Sequence, residues 1–295
     1  MNPLAHVGGG VFEPLQLIGL TALGAAYALR LSSLAREARA VPRWRVLCFY
    51  AGLVLIAAAF ASPVAHIGEE LVLAHMIQHL VIGDVAALVI VLGLTRALLA
   101  PLLAIRLVDH LQALALPALA LPLWIISLFV WHVPALYEGA VTNEAVHALQ
   151  HACFIGFGIA MWMPVVGPLP VPAWFGGGAQ LAYTGIARLA AAGLGNVLMW
   201  SGTILYPVYA EGEAYWGVDP LTDQGIAGAI MMAEGGLVTL AVLSWVLLRW
   251  AERDTEKQRL LDLARERGVA LDEARADRAV AAGHGARLEE RLRES

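Results

Sequence analysis

Charge is what this sequence has little of. Of 295 residues, 15% are Asp, Glu, Lys or Arg, against about 25% in ordinary soluble domains. Hydrophobic residues make up 59%, and the mean hydropathy is +0.69. This composition indicates a membrane protein. Cysteine is scarce too: Cys48 and Cys153 stand alone, form no C-x-x-C pair, and so argue against a disulfide framework or a thiolate metal site. Lysine is nearly missing, Lys257 standing against eighteen arginines, a balance typical of a GC-rich bacterial genome. The opening MNPLAHVGGGVFEP has no basic stretch, so no cleaved signal peptide is expected and the chain should begin mature. No dinucleotide glycine pattern, phosphate loop or nucleophile elbow occurs. The glycines of GGGAQ at 176–180 lack the strand context of a phosphate cradle. A net charge of −5 says little about partners, and nothing points to nucleic acid.

What is present is a series of apolar runs. A spanning helix needs about 20 mostly apolar residues, and seven segments qualify: 14–34, 45–62, 70–94, 115–137, 145–166, 180–205 and 223–249. The fold class expected is an all-α membrane bundle of seven spans, residues 1–250, with a charged cytoplasmic tail, 251–295. Between the third and fourth spans, TRALLAPLLAIRLVDHLQAL reads as an amphipathic helix along the membrane surface. Orientation follows from the basic residues. The first connection holds Arg30, Arg36, Arg39, Arg43 and Arg45, the third Arg96 and Arg106, and Arg188 sits just beyond the fifth. Arg249 and ten more basic residues follow the seventh span. The N-terminal segment and the second, fourth and sixth connections have none, and carry Glu69, Glu70, Glu138, Glu144, Glu211, Glu213 and Asp219. The N-terminus is therefore expected outside and the C-terminus in the cytoplasm. The tail reads as one or two short helices, or a partly disordered extension, divided near Gly283-His284-Gly285.

Within this topology six of the nine histidines collect near the outer face: His66, His75, His79, His132, His147 and His151. Residues four apart on a helix share a face, so His75/His79 and His147/His151 each present two imidazoles in one direction. Ionisable groups in spans are costly in lipid and usually face the bundle interior. Two such pairs plus His132 could converge on one ion; imidazoles suit Cu, Zn or Fe, and a bis-His arrangement suits haem. A lone intramembrane histidine is more often a helix-to-helix hydrogen bond, the ordinary reading of His66 or His132 alone. Met76 could add a thioether, although methionine is also common core filler.

Three further charges lie inside the spans. Asp84 stands about 140° around an ideal helix from His79 and so is a poor co-ligand, but it could pair with Arg188 at similar depth. Glu234 could be a protonated acid donating a hydrogen bond, or part of a proton path. Asp223, at the outer start of the seventh span, fits either a helix N-terminus or a hydrogen bond behind a ligating histidine.

Read in order, HMIQH at 75–79, WHVPALY at 131–137, HALQH at 147–151, WMP at 162–164, LYPVY at 205–209 and DQGIAG at 223–228 resemble the CtaG-type cytochrome c oxidase assembly factors, associated with caa-type terminal oxidases of bacteria. The similarity runs from about residue 60 to 245, and it departs after AGAIMM, where Ala233 and Glu234 follow Met232. The resemblance implies a seven-helix protein of the bacterial inner membrane, needed to mature a haem-copper oxidase at the copper-insertion stage. Its partners would be oxidase subunits and lipid. His75, His79, His132, His147 and His151 would be the metal residues, with Asp223 and Gln224 nearby and His66 and Met76 as further candidates. The first expectation is thus a non-enzymatic holder that takes copper at the outer face and passes it on. Its rivals are a haem-b electron carrier, a metal-free scaffold and an intramembrane zinc hydrolase, the last lacking H-E-x-x-H.

Overall fold

The computed structural model describes residues 14–61, 63–105, 112–281 and 283–294. Among the described residues all regular structure is helical. In chain order the helices are α1 (Pro14–Arg36), α2 (Arg43–Ala61), α3 (Pro63–Ile67), α4 (Val72–Leu80), α5 (Ala86–Gly93), α6 (Arg96–Leu103), α7 (Pro117–Trp131), α8 (Pro134–Thr142), α9 (Glu144–Val166), α10 (Gly177–Trp200), α11 (Ala210–Trp216), α12 (Pro220–Glu266), α13 (Glu273–Ala281) and α14 (Gly285–Glu294). A π-helical turn, Val81–Val85, joins α4 to α5 into one run. Among the described residues six helices are long and apolar enough to cross a membrane, and the bent pair α7–α8 makes a seventh if counted as one span. The protein is a multi-pass membrane protein.

Two segments depart from the sequence expectation. The fourth apolar segment is not straight: α7 and α8 meet at 74°. Pro134 causes this, since it biases Val133 away from helix and starts a new one at its first position. The seventh segment does not stop at residue 249; α12 runs on to Glu266. There α13 and α14 fold back on it, burying Leu260, Ala264, Val280, Leu288 and Leu292, with the break at Gly283, whose φ of +69° favours glycine. Of the expected surface helix, Arg96–Leu103 is helical, while Arg106, Asp109 and His110 lie outside the described residues, as do His6 and the opening segment.

The bundle closes around small residues, as membrane helices do where backbones approach. A β-carbon at Gly158 of α9 would lie 2.0 Å from the carbonyl oxygen of Gly83, and one at Gly52 would meet Ile90 at 2.4 Å. A β-carbon at Gly228 of α12 would likewise sit 2.4 Å from the carbonyl of Gly195 in α10. The Gly83–Gly158 contact positions the site, because it locks α9 against the histidine-bearing run of α4.

Candidate metal centre

α4 and α9 run in the same direction and begin at the same end of the bundle. Each places a histidine at its fourth and its eighth residue: His75 and His79 on α4, His147 and His151 on α9. The four rings form a compact square. Their centroids are 4.2 Å apart for His75–His79, 4.1 Å for His147–His151, 5.4 Å for His75–His147 and 5.3 Å for His79–His151. One nitrogen from each of His75, His79 and His147 lies within 4.8 Å of the others. His151 completes the square, with Phe60 stacked on its other side at 5.1 Å.

The hydrogen bonding tells which nitrogens are free. Nδ1 of His75 lies 3.2 Å from the carbonyl oxygen of Gly68. A carbonyl only accepts, so Nδ1 carries the proton and Nε2 keeps its lone pair. Nε2 of His75, Nε2 of His147 and both nitrogens of His79 and His151 are buried without a hydrogen-bond partner among the described residues. An unsatisfied buried polar group costs about 1–3 kcal/mol. Histidines that merely tied helices together would avoid that cost by bonding across the interface; these do not. The donor set fits a cation that accepts imidazole nitrogen.

His132 comes from a third element. It caps the end of α7 at the bend, its Nδ1 donating to the carbonyl of Leu128 at 2.7 Å, and its ring lies against Tyr137 and Phe154. It faces the square across a cavity of about 40 Å³ that His79 also lines, and it is not part of the three-residue group. His66, on α3, sits 3.9 Å from Glu69 and is not part of the three-residue group. Met76 is buried among Val72, Tyr137, Leu198 and Met231 as core packing, with an edge on the same cavity.

Asp223 does cap a helix, but not its own. Its carboxylate accepts from the backbone N–H groups of Val72 (2.7 Å) and Leu73 (3.1 Å), the first turn of α4, while Asp219 caps α12. Asp223 therefore fixes the start of the helix that carries His75 and His79. Gln224 works away from the square: it bonds to Leu198, Ser201, Thr203 and Leu205, tying the end of α10 to α12.

Asp84 and Arg188 form the expected pair, bidentate, with the indole N–H of Trp162 also donating to Asp84 at 2.8 Å. Asp84 is thus taken by partners other than the histidines, in keeping with its reading as a poor co-ligand. Between it and His79 the π turn bonds each residue to one five positions back rather than four, and Asp84 lines the same cavity as His79, together with Glu234.

Several residues that sequence spacing does not mark also shape the site. Tyr137 lies 5.1 Å from the His75 ring and Tyr209 6.2 Å from it, and Tyr137 stacks on Tyr206 at 3.9 Å; together they wall one side of the square. Tyr206 also donates to the carbonyl of His132. These tyrosines sit inside WHVPALY and LYPVY, so the fragments are visible in the sequence although the roles are not. Gln78, between the α4 histidines, donates to the carbonyl of Ala59 and ties α4 to α2. Gln150, at the same place before the last histidine of its motif, is fully buried, and neither amide atom has a partner among the described residues.

Comparison with curated proteins and with solved structures finds no match. The family described as cytochrome c oxidase caa3 assembly factor (Caa3_CtaG) matches residues 25–253, a stretch that takes in the histidine square, the Asp84–Arg188 pair and the tyrosine wall. The chain belongs to the cytochrome c oxidase caa3 assembly factor family.

Proposed function

We propose that this protein holds copper at the outer end of its bundle and delivers it to a haem-copper oxidase under assembly. The observation that carries this is the group of His75, His79 and His147, whose ligating nitrogens lie within 4.8 Å of one another, most of them buried without protein partners. Three imidazoles, with His151 as a fourth within reach, suit a copper ion that must be released again, because they bring no thiolate to hold it permanently. Asp223 and the Gly83–Gly158 contact would keep the two helices in register whether or not copper is bound.

The setting supports this reading. We take the bent pair α7–α8 as one crossing, giving seven spans with the N-terminus outside and the acidic connections on the same side as the histidines. Those acidic loops favour the approach of cations. Residues 1–250 would be the membrane domain and 251–295 a cytoplasmic extension, in a bacterial inner membrane. The action is that of a holder, with oxidase subunits as acceptors.

Copper stoichiometry and a visible spectrum of the detergent-purified protein, before and after reconstitution with reduced copper, test the proposal. The same assays on the His75→Ala/His79→Ala variant place the site. Bound copper without haem bands, lost in the variant, is the expected result. Soret and α bands would replace the holder with an electron carrier, and neither metal nor haem would leave a scaffold.

A further inference from the structure

The opposite end of the bundle holds a cavity of about 440 Å³ between the starts of α2 and α10, the end of α9 and the middle of α12. Arg45, Arg249 and Arg253 line it, and among the described residues no Asp or Glu does. Arg249 and Arg253 make no ion pair with any described carboxylate. Three like charges around one hollow repel one another unless something negative enters. Two of the three heads are oriented: Arg45 donates to the carbonyls of Leu92 and Leu94 at 3.1 and 2.6 Å, and Arg249 lies over the Trp245 ring at 5.2 Å.

We propose that this cavity binds a phosphate-bearing anion. Guanidinium forks match phosphate oxygens and stay charged at any physiological pH. The first turn of the 24-residue helix α10 opens into the same hollow at Gly176 and Gly177, adding backbone N–H groups to the arginines. Gly177 packs closely there, a β-carbon at its position sitting 3.1 Å from the Trp250 ring that walls the cavity. Depth points to a source. Trp44, Trp174 and Trp250 are exposed at this end, the belt that tryptophans form at headgroup level. Basic pockets between spans at that level take lipid headgroups. The phosphate therefore comes either from an anionic phospholipid or from the aqueous phase.

The test uses the full-length protein in detergent, with phosphatidylglycerol, phosphatidylcholine and inorganic phosphate as probes. Readouts are retained adducts in native mass spectrometry and the melting temperature. Arg249→Gln/Arg253→Gln removes two pocket charges; Arg36→Gln/Arg96→Gln removes two exposed charges at the same end, outside the pocket. Phosphatidylglycerol should bind in preference to phosphatidylcholine, and the pocket variant should weaken it at least tenfold while the control variant does not. Protection by phosphatidylglycerol alone assigns the site to lipid, and protection by inorganic phosphate alone assigns it to a soluble ligand. Equal binding of the two lipids together with no effect of phosphate overturns the proposal, and so does an equal loss in the control variant. The lipid and phosphate comparisons on the unsubstituted protein stand even where a variant fails to fold.

Discussion

His147→Ala and His132→Ala separate two kinds of buried histidine. The first removes a nitrogen from the three-residue group and should weaken copper binding at least tenfold, measured by competition with a copper chelator; the second should leave affinity within a few-fold, because His132 stands outside the group. The helical spacing of the pairs is readable from the sequence, since i and i+4 share a face whatever the surroundings. The place of His132 across the cavity is not, because it depends on the bend at Pro134. Glu213 gives a pH signature at the same scale. Burial, then the carboxylates of Asp223 and Asp219, push its carboxyl above the usual range. The folded state then holds that proton more tightly than the unfolded chain, so stability is greatest in acid and falls as pH rises from the ordinary glutamate range through the raised one. Glu213→Gln should flatten that part of the melting-temperature profile between pH 4 and 8, and an unchanged slope would refute the assignment.

At the scale of helices, the site depends on contacts far from copper. Gly158→Ala would drive a methyl into the Gly83 carbonyl. Overpacking of this kind costs about 1–3 kcal/mol, and here it would also part α4 from α9, so both melting temperature and copper affinity should fall. Asp223→Ala removes the cap of α4, a loss of about 0.5–2 kcal/mol, and should loosen His75 and His79 without touching them. Arg188→Met strands Asp84 in the bundle. Breaking a buried pair in this way costs about 3–5 kcal/mol, and Asp84→Asn in the same chain should recover much of it; no recovery in thermal melting would mean the two act separately. The Asp84–Arg188 pairing is legible from matched depth. The π turn is not, because an extra residue in a helix leaves no mark in an apolar run and arises from how the run packs on its neighbours. Which helix Asp223 caps is equally hidden, for the two chain segments lie about 150 residues apart.

For the whole molecule, composition suffices to expect a helical membrane bundle, and basic residues suffice to expect its orientation. Helix α12 is less legible, since a charged stretch following an apolar one reads as a boundary even where the helix continues. A single cysteine at Glu144 should react with a membrane-impermeant maleimide on intact cells, and one at Glu266 only after lysis, in a background without Cys48 and Cys153. Reversed labelling would invert the topology and put the histidines on the cytoplasmic side. The π turn has one last consequence, for chain length. Deleting a residue from a spanning helix ordinarily turns everything beyond it by about 100° relative to what comes before. Here the run from Val72 to Gly93 carries one residue in excess, at Val81–Val85. A one-residue deletion at Val81 or Ile82 can be absorbed as ordinary α-helix, every backbone bond kept, and sets Asp84 four residues beyond His79, on the face the histidines share. The protein thus contains a place where a span can lose a residue while its two polar centres keep to one side of the helix.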